Sequence, residues 1–99
     1  MWRCFMAETP EDRKRIGAMW WEETKRGRVW VVTLPGGYLF YQDQQSSDGR
    51  SPWTCTGEPP NVTVRPSINY VGLYHGWLKD GVLSDDTEGR RFAEVPARA

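Results

Sequence analysis

Apolar positions recur at spacings of three and four up to about residue 25, and in a strand-like alternation beyond it. Ile16, Met19 and Trp20 would share one stripe of a helix, with Glu23 following one turn on. Ahead of them, Thr9 offers a side-chain N-cap, Pro10 suits the first helical position, and Glu11 and Asp12 complement the helix dipole. Lys25-Arg26-Gly27 supplies a cationic last turn and a glycine stop. Gly17 weakens the middle by about 1 kcal/mol relative to alanine. The pattern predicts a helix over residues 10–25, in competition with a reading in which Met19–Thr24 is already a strand.

Short strands are predicted on both sides of it. Trp2 to Met6 is bulky enough for a short opening strand. The β-branched and aromatic run Val29–Leu34, the turn Pro35-Gly36-Gly37 and the run Tyr38–Tyr41 predict a hairpin over 29–41. Residues 42–52 are polar and turn-rich, so an exposed loop is expected there. Trp53–Thr56 reads as a strand, and Asn61–Arg65 as a second with Val62 and Val64 inward, ended by Pro66. Asp80-Gly81 between apolar pairs is a strong tight-hairpin signal. A frayed tail is expected over 92–99. The expected architecture is α+β: one N-terminal helix packed on a curved, mostly antiparallel sheet of five to seven short strands, as a single domain over 1–99.

Composition adds one constraint to this plan. The 99 residues include six tryptophans, four tyrosines and three phenylalanines, more rings than so small a core can hide. Some should therefore line a surface that binds something. Thirteen basic residues balance thirteen acidic ones, so the broad positive field of a non-specific nucleic-acid binder is absent. No stretch approaches the roughly 20 apolar residues of a membrane span, and no secretory signal is read at the N-terminus. The expectation is a cytoplasmic protein of a bacterial host, without a membrane role and with reduced thiols at Cys4 and Cys55.

Candidate chemistry is sparse. His75 is the one histidine; with Asp80 and the carboxylates of 85–88 it would make a weak metal or general-base site, against the reading of a half-buried strand histidine. Ser67 and Ser84 lack the nucleophile-elbow pattern, and Cys4 and Cys55 lack Cys-x-x-Cys spacing. Cations interleaved with Trp20 and Trp21 suit single-stranded nucleic acid, but Glu11, Asp12, Glu22 and Glu23 lie among them. Trp20 and Trp21 cannot share one face of either a helix or a strand. A partner-binding patch of Trp20, Trp21, Arg26, Arg28 and Tyr38 is expected, since Trp, Tyr and Arg dominate interface centres.

One resemblance bears on origin. Pro66-Ser67-Ile68, followed by His75-Gly76-Trp77-Leu78-Lys79-Asp80-Gly81, resembles a family of small uncharacterised phage and prophage proteins with a Pro-Ser-Ile turn and a His-x-Trp-(Ile/Leu)-x-(Asn/Asp)-Gly hairpin. Larger relatives carry an upstream Cys-rich segment, whereas Gly37 to Gln45 here holds no cysteine. The resemblance implies a mobile-element protein that acts by binding and blocking a host factor. The expected function is thus a small binding protein, leaning away from enzyme and needing no cofactor, that masks a host protein or ribonucleoprotein. An anti-CRISPR-like inhibitor is one form it would take, as a monomer or homodimer. The alternatives are a metal-assisted site at His75 and a single-stranded nucleic-acid binder.

Overall fold

Alternation of buried and exposed positions organises nearly every segment of the computed structural model, which describes residues 1–45, 50 and 52–93. Among them the strands are β1 (Trp2–Arg3), β2 (Phe5–Met6), β3 (Ala18–Thr24), β4 (Gly27–Thr33), β5 (Leu39–Tyr41), β6 (Thr54–Glu58), β7 (Asn61–Tyr70), β8 (Tyr74–Lys79) and β9 (Val82–Leu83). They form a five-stranded sheet in the order β1-β9-β8-β7-β6 and a four-stranded sheet in the order β2-β3-β4-β5. Every neighbouring pair is antiparallel except β2 and β3. Cys4 alone separates β1 from β2, so the chain crosses between the sheets there. Its N–H donates to Gly81 O at 2.7 Å while the thiol enters the core.

The N-terminal helix does not form, and the domain is a sandwich of two sheets in place of the expected α+β arrangement. Its start signal is real but short-lived. The Thr9 hydroxyl accepts the Asp12 N–H at 3.1 Å, and one 3₁₀ turn follows at Asp12–Lys14. Arg15 is then extended, and Gly17 takes φ +91°, a conformation open to glycine but not to a continuing helix. Residues 18–24 pair with β4 instead, from Met19–Val32 to Thr24–Gly27. A helix would have buried one stripe of this segment. As a strand it buries Met19 on one face and Trp20 on the other, and that extra apolar burial outweighs a short helix with a costly nucleus.

The main core lies between the sheets. Met19, Trp30, Val32 and Phe40 of the four-stranded sheet meet Val62, Val64, Ile68, Tyr74, Leu78 and Leu83 of the five-stranded sheet. Trp53 packs edge-on to Phe40 at 5.2 Å, which closes one side. A second cluster of Ala18, Trp20 and Val31 occupies the outer face of the four-stranded sheet. The segment around the 3₁₀ turn covers it: the Arg13 guanidinium sits 5.0 Å from the Trp20 ring and that of Arg15 5.1 Å from Phe5.

The hairpin over 29–41 forms as β4 and β5, and the Asp80-Gly81 turn joins β8 to β9 with φ of 48° and 75°. Both central residues at positive φ make it the turn type whose twist suits a tight hairpin. Pro66 does not end its strand, contrary to expectation. A register shift between Val64 and Ile68 takes the proline out of the hydrogen-bond ladder, and β7 continues to Tyr70. The expected loop over 42–52 and tail over 92–99 lie partly outside the described residues. Within them, Gln42 Oε1 accepts the Trp30 N–H, and Phe92 packs edge-on to Tyr74 at 6.0 Å.

Candidate functional site

Unlike the four-stranded sheet, the five-stranded sheet presents an open outer face. Cys55, Val64 and Leu78 are consecutive cross-strand partners, Val64 and Leu78 are buried, and Cys55 packs against the same core. Their neighbours therefore point to solvent. Thr56, Thr63, Lys79, Val82 and Arg3 form one row across the sheet, and Thr54, Arg65, Trp77 and Ser84 the next. Trp77 stands at the centre with 49% of its surface exposed. A groove of about 290 Å³ runs along one side, bounded by Thr63, Arg65 and Lys79, and one of about 430 Å³ along the other, bounded by Arg3, Val82 and Ser84.

Cations gather around the ring on this face, with Asp80 lining the second groove beside Arg3 and Lys79. Arg3, Arg65 and Lys79 surround the indole, and among the described residues none of the three is held in an ion pair. Asp80 and Glu58 sit at the turn end of the sheet, where Asp80 N–H donates to the Thr63 hydroxyl at 3.0 Å. A chain with no net charge thus concentrates three cations around one exposed ring.

At the opposite end, Ser67 Oγ lies 2.9 Å from His75 Nε2, and His75 Nδ1 lies 3.4 Å from Glu88 Oε2. The segment that brings Glu88 there is built on Asp86. Its buried carboxylate accepts the backbone N–H groups of His75, Glu88 and Arg90 and the Arg90 guanidinium at 3.0 Å. Desolvation pushes the Asp86 pKa up. The N–H donors and the guanidinium outweigh it and hold the carboxyl below its ordinary value.

The residues singled out from sequence do not form one patch. Trp21, Arg26 and Arg28 gather at the far end of the β3–β4 hairpin, and each cation is already engaged. Arg28 lies 4.8 Å over the Trp21 ring, and Arg26 Nε donates to Asp43 at 2.7 Å. Trp20 is on the other face of β3, buried to 6% exposure, with its Nε1 donating to Glu22. Tyr38 lies at the opposite end of β4, about 20 Å away by strand rise, packed against Tyr70. His75 and Asp80 lie at opposite ends of β8, about 16 Å apart by the same rise, so they do not form the metal pair considered above. No group of three or more potential metal-binding side chains exists among the described residues. Cys4 and Cys55 are free thiols, pushed up to about 12 and about 11 by burial.

Sequence reasoning passed over Trp77, Arg65, Lys79 and Arg3. The signal was present in Tyr74–Lys79, where Tyr74, Gly76 and Leu78 turn inward and His75, Trp77 and Lys79 turn outward. A large indole on the polar half of an alternating strand marks a face the core does not use. No helix among the described residues is long and apolar enough to cross a membrane. No family model, curated protein or solved structure matches the chain.

Proposed function

We propose that this protein is a small binding protein of phage or prophage origin that masks an anionic surface of a host macromolecule with the outer face of its five-stranded sheet. The observation that carries the reading is the half-exposed Trp77 with Arg65, Lys79 and Arg3 around it, none of them in an ion pair among the described residues. Burying an indole contributes large apolar area at low entropic cost, and arginine and lysine around it add orientation and charge complementarity. The Trp21 patch is the weaker candidate, because Arg28 and Arg26 already have partners within the chain. The test is capture from a bacterial lysate on immobilised protein, with partners identified by mass spectrometry. A partner lost with Trp77→Ala/Arg65→Glu and kept with Trp21→Ala/Arg28→Ala is expected; the reverse pattern removes this reading.

A second reading attaches to one contact, the hydroxyl–imidazole–carboxylate order of Ser67, His75 and Glu88, which is how a serine is activated for acyl transfer. Labelling by a fluorophosphonate probe that disappears in Ser67→Ala would favour it. The binding reading expects no labelling.

A further inference from the structure

We infer that the ligand of the Trp77 face is a single-stranded nucleic acid, with bases stacked on the indole and phosphates held by Arg65, Lys79 and Arg3. This rests on the proposed binding role of that face and names what it takes. Two features of the geometry favour this occupant over an acidic peptide or a duplex.

The first is the stance of the ring. Grooves lie on both sides of Trp77, and the indole is a wall of each, so it rises from the sheet with both flanks open. A planar base can lie along either flank. A duplex keeps its bases stacked on one another and offers the ring nothing flat. An acidic peptide would satisfy the cations and leave the indole unstacked.

The second is the spacing of charge. Arg65 neighbours Trp77 across one strand spacing of about 5 Å, Lys79 lies about 7 Å along β8, and Arg3, two strands over in the Lys79 row, about 12 Å away. With side chains that reach several ångströms further, the three cations ring the indole at the separation of a base from its flanking phosphates. Stacking on an indole uses the face of a base and not its edge, so it should tolerate any base. The neutral charge of the whole chain keeps attraction local to this face.

Three phosphate contacts predict a salt dependence with a log–log slope of about −2, which lowers affinity about 20-fold between 50 and 200 mM salt. The experiment is a fluorescence-anisotropy titration of a labelled twelve-nucleotide oligo(dT) with the intact protein. A labelled twelve-residue poly-glutamate and a twelve-base-pair duplex serve as competing probes. Saturable oligo(dT) binding, quenching of tryptophan emission, the stated salt loss and at least about tenfold weakening in Trp77→Ala are expected, with Trp77→Phe retaining most of the affinity. Thermal unfolding of both variants confirms that they remain folded. Absence of oligo(dT) binding at 50 mM salt, equal binding by Trp77→Ala, or equal affinity for poly-glutamate or duplex overturns the inference. If a lysate partner is still lost in Trp77→Ala/Arg65→Glu, the binding role stands and only the nucleic-acid assignment falls; if neither measurement depends on Trp77, both fall.

Discussion

Trp21 and Trp30 are direct cross-strand partners on β3 and β4, yet Trp30 is 1% exposed and Trp21 38%. Both indoles point to the same side of the sheet. The difference marks where the two-sheet core ends: Trp30 belongs to the core cluster between the sheets and packs against Phe40, whereas Trp21 lies outside that cluster with Arg28 over its ring. Trp30→Ala should therefore cost about 3–5 kcal/mol and Trp21→Ala about 1 kcal/mol or less, read as denaturant midpoints at constant slope. Equal losses would place Trp21 in the core.

The Gly81 conformation should be indispensable. Its φ is 75°, and a Cβ there would lie 2.5 Å from the Pro60 carbonyl oxygen, a backbone atom that cannot step aside. Gly37 has φ 87° but open space around a Cβ. Gly81→Ala should destabilise by well over 1 kcal/mol, and by more than Gly37→Ala, in the same unfolding assay. A smaller effect at Gly81 would mean that the hairpin shifts freely against the β6–β7 turn.

Alkaline stability should fall earlier than tyrosine and cysteine content alone implies. Burial raises Cys4 to about 12 and, with smaller effects from neighbouring charges, Tyr74 to about 12. A raised folded-state value contributes stability that is complete below the ordinary value and lost as pH rises towards the folded one. Thermal midpoints should decline from about pH 9 upward, and Cys4→Ala should flatten the start of that decline although it loses packing at neutral pH. An identical pH profile in Cys4→Ala would remove the thiol from this account.

Asp86 gives the acid limb. Its carboxyl is held below the ordinary value by backbone N–H groups and the Arg90 guanidinium, against the opposing push of desolvation. Its contribution is present above the ordinary carboxyl range and is lost as pH falls through the depressed value. Asp86→Asn should lower the denaturation midpoint at pH 7, and the gap to the unmodified protein should narrow in acid. A gap constant from pH 7 to pH 3 would contradict this role.

Much of the strand plan was legible because local chemistry and tertiary packing agree there. Asp80-Gly81 encodes its own turn, and the alternation around Val62 and Val64 matches their burial. The N-terminal segment was misread where they conflict. Thr9 does cap a turn, but the burial of both Met19 and Trp20 depends on β4 and on Arg13, partners that spacing alone does not reveal. The candidate site was missed for a related reason. Trp77, Arg65 and Arg3 are far apart in sequence and meet only because the strand order β1-β9-β8-β7 lays them side by side.

Hydroxyl-radical footprinting of the protein, free and bound to its captured partner, tests most directly whether the outer face of the five-stranded sheet is the docking surface. Oxidation of Trp77 should fall several-fold on binding, while that of Trp21 at the hairpin end stays unchanged. Protection of Trp21 with Trp77 left as reactive as in the free protein would contradict the account.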